Sequence, residues 1–113
     1  MAYASEFDAF EAAGPDGGAR KLSFKKAGTL AAGDRPELYF FEESAHPIVV
    51  CVSGEALAVW QQAHRYLSRE EKIDIAGLFL KMRIEEGGEL AQEDLRIGGP
   101  ELGKLLELLG ISE

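Results

Sequence analysis

Glu37-Leu-Tyr-Phe-Phe-Glu-Glu43, Ser44-Ala-His-Pro47, Ile48-Val-Val-Cys-Val52 and Ser53-Gly-Glu55 follow one another without interruption, and their reading decides the fold. The first segment is rich in aromatic residues and reads as a strand. The second is a turn. The third is a β-branched run and reads as a second strand, with Pro47 tolerated at its start because a first strand position need not donate to the ladder. Ser53-Gly-Glu55 then opens a helix expected to reach about Leu67. In the first strand Leu38 and Phe40 point one way and Tyr39 and Phe41 the other, so both sides are apolar. Ile48 to Val52 behaves likewise. Such strands are expected to be central, or covered on both faces.

Working toward the N-terminus, Leu22 and Phe24 alternate with Lys21, Ser23 and Lys25, which predicts a half-buried strand over Ala19 to Lys26 with a basic outer side. Residues 27–36 read as a loop containing Gly28, Gly33 and Pro36. Gly14-Pro-Asp-Gly-Gly18 is a strong breaker. Residues 1–18 form an N-terminal arm, in which Ser5 to Ala13 is expected to make a short helix with Ser5 as N-cap and Phe7 and Phe10 sharing a face.

Working toward the C-terminus, the expected first helix carries Leu57, Trp60, His64 and Leu67 on one face, with Val59, Ala63 and Tyr66 beside them. Ser68-Arg-Glu-Glu71 has the spacing of a capping box and marks the start of a second helix. Its stripe of Ile73, Ala76, Leu80 and Ile84 is widened by Ile75, Phe79 and Met82. So broad an apolar face belongs to a helix buried centrally in the monomer or against another chain. Gly87-Gly88 stops it. Residues 89–97 are ambiguous between a short strand and an irregular crossing. Gly98-Gly99-Pro100 opens a last helix whose apolar face is Leu102, Leu105, Leu106 and Leu109, and Gly110 ends it.

With 113 residues, 46% hydrophobic and 28% charged, the chain has the length of one domain, 1–113, with one core. A net charge of −8 opposes nucleic-acid binding, which needs a basic face, and opposes attraction to an anionic membrane. Arg20, Lys21, Lys25 and Lys26 are the only cluster favouring nucleic acid. A single cysteine forms no internal disulfide, so a cytoplasmic setting is expected. The first residues lack the basic start and apolar run of a signal peptide, and no apolar run is long enough to span a membrane.

Candidate chemistry is sparse. Cys51 lies near His46 in sequence, and His64 follows on the next helix, but a cysteine inside a β-branched run reads as a small core residue. His46 is expected in a solvent-exposed turn. Two histidines and one cysteine lack zinc-ligand spacing, and neither glycine cluster matches a phosphate loop. No metal and no cofactor is expected. The strongest ligand-binding candidates are Trp60, His64 and Tyr66, with Cys51, around a pocket between sheet and helices.

The segment Cys51-Val-Ser53-Gly-Glu55-Ala56-Leu57 resembles the strand-to-helix junction of a small bacterial family called domain of unknown function 1488. That family has no assigned activity, so the resemblance implies none for this chain.

The expected fold class is α+β: a small antiparallel sheet of three to four strands, with two long helices and a short C-terminal helix packed on it. The expected function is that of a non-enzymatic cytoplasmic protein–protein interaction module that self-associates as a homo-oligomer. The warrant is apolar surface on the 73–84 helix and the C-terminal leucines beyond what a three-stranded sheet covers. The alternative is a small-ligand-binding domain or small enzyme using the pocket residues named above.

Overall fold

A computed structural model describes residues 7–88, 90 and 95–111. The elements run β1 (Ala9–Ala13), β2 (Ala19–Thr29), β3 (Glu37–Glu43), β4 (His46–Val52), α1 (Gly54–Ala63), α2 (Arg69–Glu85), β5 (Arg96–Ile97) and α3 (Gly99–Leu108). The class is α+β. The five strands lie in sequence order across one sheet.

The N-terminal arm departs from the expected helix. Ser5 and Glu6 lie outside the described residues, and Ala9–Ala13 is a strand paired antiparallel with β2, Phe10 opposite Leu22 and Ala12 opposite Arg20. The turn at Gly14–Gly18 is the cause. Gly17 takes φ 81°, its amide donates to the Gly14 carbonyl at 2.9 Å, and the Gly18 amide donates to Asp16 Oδ1 at 3.0 Å. So tight a reversal returns the chain along β2. A helix of nine residues is marginal in water, whereas the pairing carries Phe10 and Ala12 to the core side.

β2 also runs further than the expected Lys26, to Thr29. Its register shifts between Phe24 and Lys26, so Phe24 opposes Phe41 and Lys26 opposes Phe40. Such a bulge inserts one residue into the alternation. It leaves Phe24 on the core side and turns Lys26 to the opposite face. β3 and β4 are joined by a tight turn in which Ser44 and Ala45 both take positive φ, 49° and 67°, the combination that matches strand twist in a two-residue hairpin.

The second half supplies a strand that reverses the antiparallel expectation. β5 pairs parallel with β4, Cys51 opposite Arg96 and Val52 opposite Ile97. The amides of Cys51 and Ser53 donate to the carbonyls of Leu95 and Ile97, each at 2.9 Å. A parallel neighbour requires a crossover, and α1 with α2 form it. The sheet is therefore mixed and has five strands.

α1 ends at Ala63 and not at Leu67. The His64 amide closes the last turn on the Trp60 carbonyl at 3.0 Å, and the Leu67 amide leaves the helix for the Gln61 side chain at 2.9 Å. Ser68 then restarts helix with the expected capping box. Glu71 N–H donates to Ser68 Oγ at 3.1 Å and Ser68 N–H donates to Glu71 Oε1 at 2.9 Å. α1 is thus as short as α3, ten residues each, and only α2, with 17, is long.

All three helices lie on one side of the sheet. Ile48, Val50, Val52, Tyr39, Phe41 and Leu22 meet Leu57, Ile73, Ile75, Leu80, Ile84 and Leu102 in one core. A chain of rings runs through it: Phe7 to Phe10, Phe10 to Phe41, and Phe41 to Phe24, with centroids 5.2, 6.1 and 5.5 Å apart, all edge-to-face. Residues 73–77 of α2 are all buried. Most of the breadth of its apolar face is thereby used up inside the monomer, as are Leu102, Leu105 and Leu106 of α3. Phe79, Met82 and Leu109 stay half-buried and Leu108 is 58% exposed, so these helices keep part of the apolar surface expected of them.

Candidate functional site

A second group of apolar side chains lies on the other side of the sheet. Leu38 opposes Cys51 and Phe40 opposes Val49 across the β3–β4 ladder. Alternation turns these four side chains away from Tyr39, Phe41, Val50 and Val52, which fill the core. They form a two-by-two block on the open face, and all four are half-buried. β3 and β4 are central strands, as one of the two expected alternatives had it, and helices cover them on one face only. Lys26 extends over the Phe40 ring, Nζ 5.0 Å from its centroid. Around the block the register brings Glu42, Lys21 and Glu11 to the same face on one side and Arg96 on the other.

Cys51 belongs to this face and not to the core, since register makes it the partner of Leu38. Partial burial pushes its thiol pKa up, opposed by the positive charge of Arg96 and reinforced by Asp34. A thiol shifted this way holds less thiolate at neutral pH and is a poor nucleophile. His46 is exposed at the first position of β4, its Nδ1 3.1 Å from the Ser44 carbonyl. It lies five residues from Cys51 along the strand, too far to serve it as a base.

A second feature lies among the helices. A cleft of about 420 Å³ is lined by Ser53, Glu55, Ala56, Val59, Trp60, Ala63 and His64 with Gly99 and Leu102. The Trp60 and His64 rings stack, centroids 4.4 Å apart and planes 15° from parallel. The stacking follows from their i, i+4 spacing at the end of α1, and the His64 Nδ1 sits 3.0 Å from the Trp60 carbonyl. The cleft lies between α1 and α3, where a pocket between sheet and helices was expected. It holds Trp60 and His64. Tyr66, past the end of α1 and 86% exposed, is not among its lining residues, and Cys51 is on the opposite face of the sheet.

The mouth of this cleft is built by a long-range contact. Ser53 caps α1, its Oγ accepting from the Ala56 amide at 3.1 Å. The same hydroxyl donates to Asp34 Oδ2 at 2.7 Å. That bond, with smaller help from backbone amides, holds the Asp34 carboxyl below its ordinary range. Gly54 makes the approach feasible, because a β-carbon there would collide with the carbonyl oxygens of Asp34 and Arg35.

Two of the four basic residues of the β2 cluster are engaged by carboxylates. Arg20 makes a two-pronged contact with Glu43, at 2.7 and 2.6 Å, and Lys25 lies 3.8 Å from Glu42. Lys26 instead lies over the Phe40 ring. Among the described residues no three His, Cys, Asp or Glu side chains are grouped to hold a metal ion, and no helix is long and apolar enough to cross a membrane.

No family model, curated protein or solved structure matches this chain.

Two contributors to these sites had no separate signal in the sequence. Asp34 is 19 residues from Ser53 and lies in a segment that reads only as loop. Leu102 reads as part of an apolar helix face, and the part it exposes to the cleft depends on where α3 docks. Leu38, Phe40 and Val49 did carry a signal, the two-sided apolar character of their strands. It is satisfied equally by a second layer of helices in the monomer and by a second protein.

Proposed function

We propose that this chain is a non-enzymatic cytoplasmic protein–protein interaction module that acts by self-association, two copies stacking the open faces of their sheets. The observation that supports it is the Leu38–Phe40–Val49–Cys51 block, an apolar centre with a charged border on a face that none of the three helices covers. Face-to-face packing of sheets about 10 Å apart is a common way to bury such a surface. The border carries both signs, Lys21, Lys26 and Arg96 against Glu11 and Glu42, so a two-fold arrangement has opposite charges available to pair.

The size of the face sets the strength. Four strands spaced about 4.8 Å apart, each with about six residues rising about 3.3 Å, give a footprint on the order of 400 Å². Two such faces amount to about 800 Å² together, below the roughly 1,000 Å² that a stable specific interface clears, so the contact belongs to the weak, transient class. The dimer is accordingly expected to dissociate in the micromolar range and not to be obligate. Kinship with the family of the Cys51–Leu57 resemblance remains a proposal and adds no activity to this reading.

Sedimentation velocity over a hundredfold range of protein concentration tests it. A shift from monomer to dimer in the wild type, abolished by Phe40→Glu with the circular dichroism spectrum retained, is the expected result. A monomer throughout, or a dimer indifferent to Phe40→Glu, overturns it.

A further inference from the structure

The α1–α3 cleft lies on the helix side of the sheet, away from the face assigned to self-association, and it is open in monomer and dimer alike. Its walls are apolar: Ala56, Val59, Trp60 and Ala63 from α1 and Leu102 from α3. Val59 is 62% exposed, although it stands next to the half-buried Trp60.

Charge at the mouth is one-sided. Among the described residues Glu55 lines the cleft at this end and no lysine or arginine does. The imidazole of His64 lies at the far end of α1, stacked on Trp60. Asp34 is held to the lining hydroxyl of Ser53. Glu101 brings its Oε2 close to Gly98, beside the lining residue Gly99. Two helix N-termini point to the same end, and they would favour an anion at about half a positive charge each. Three carboxylates outweigh them and leave on the order of two negative charges. The N-terminal amides of α1 are moreover already served by Ser53 and Asp34.

We propose that this cleft binds a small amphipathic cation, an ammonium or guanidinium group carried on an apolar or aromatic body. The apolar body lies against Val59, Trp60 and Ala63, above the buried Leu102, and the charged head faces Glu55. Asp34 and Glu101 do not line the cleft and add their charge from beside Ser53 and Gly98. One face of the Trp60 ring is taken by His64, so the ring supplies apolar contact and the carboxylates supply the preference for a cation. The partly solvated position keeps the electrostatic gain modest and sensitive to salt.

Trp60 is the single tryptophan of the chain, so intrinsic fluorescence reports this cleft directly. The full-length protein is titrated with three probes that share a body and differ in charge: phenethylammonium, 2-phenylethanol and 3-phenylpropanoate. The expected result is a saturable change with phenethylammonium, about tenfold tighter than the alcohol, with the carboxylate weakest. Glu55→Gln, at an exposed first-turn position, lowers the affinity of the cation about threefold and leaves the alcohol unchanged. Added salt weakens the cation alone. Absence of a saturable response to phenethylammonium up to millimolar concentration overturns the proposal. So do equal affinities for the three probes, or a Glu55→Gln effect common to all three. Neither result bears on self-association, which is read by sedimentation.

Discussion

Phe7 packs directly on the α-carbon of Gly77: a β-carbon at position 77 would overlap the Cβ and ring of Phe7. The glycine sits mid-helix in α2, within the stretch 73–77 that is buried throughout. Glycine there lets the chain just before β1 close against the central helix.

Gly77→Ala sets two effects against each other. Alanine improves helix propensity by about 1 kcal/mol, and overpacking a tight contact costs about 1–3 kcal/mol. The neighbour is an aromatic side chain itself 6% exposed and tied into the ring cluster, so it has little room to yield. The variant is expected to be less stable by about 1–2 kcal/mol in urea denaturation. A gain in stability would show that Phe7 moves aside freely.

The Arg65–Glu71 pair predicts a pH dependence. Arg65 clamps Glu71 with two bonds of 2.9 and 2.7 Å. This contact, with the Ser68 amide, lowers the Glu71 carboxyl to about 2. A folded-state pKa below the unfolded one gives a contribution that is present above the unfolded value and lost as pH falls through the folded one. Glu71→Gln keeps the capping geometry and removes the charge, so it should cost up to about 1 kcal/mol at neutral pH. The gap between wild type and variant should close as pH falls from about 4.5 to about 2. A gap constant over that interval would place the effect elsewhere.

Tyr39 predicts the alkaline limit. Its hydroxyl donates to Glu37 Oε1 at 2.6 Å, and Lys72 holds the other Glu37 oxygen at 3.1 Å. Burial first, and the Glu37 carboxylate second, push the phenol pKa far up. An acid whose folded pKa is raised keeps its proton in the native state while the unfolded chain loses it above about pH 10. Stability contributed by Tyr39 is therefore full below that value and falls as pH rises above it. Tyr39→Phe should flatten the alkaline decline measured by urea denaturation, and phenolate absorbance from Tyr39 should appear only with unfolding.

Cys51 reports the proposed interface. With its thiol pKa raised by partial burial, alkylation should be slow at neutral pH and accelerate as pH rises. On the open face, opposite Leu38, it should also label faster as the protein is diluted and dimers dissociate. In Phe40→Glu the rate should not depend on protein concentration. Concentration-independent labelling of the wild type would count against sheet-to-sheet association.

Much of the chain was legible because local rules act within a few residues. The capping box at Ser68 and Glu71, the Gly-Pro start of α3 and the pairing of Glu37–Glu43 with Ile48–Val52 each depend on neighbours in sequence. The expected turn over Ser44–Pro47 shrinks to Ser44 and Ala45, because His46 and Pro47 continue the ladder opposite Glu43 and Glu42. The N-terminal arm was misread because Phe7 and Phe10, three apart, satisfy a helix as readily as a strand and a turn before it. The Gly14–Gly18 reversal and the waiting edge of β2 decide between them. The Trp60–His64 pair was legible as one helical turn. That it faces α3 rather than the sheet was not.

The sequence by itself determined the α+β class, the hairpin at its centre, the caps and the acidic balance, because hydrophobic period, turn chemistry and charge are properties of adjacent residues. Only the tertiary structure decided which apolar face stays open. The α2 stripe and the two-sided strands compete for the same cover, and three helices are enough for one side of five strands. Once α2 lies against Val50 and Phe41, the block of Leu38, Phe40, Val49 and Cys51 is left on the other side. Likewise Asp34 reaches Ser53 only after β3 and β4 have closed the 19 residues between them.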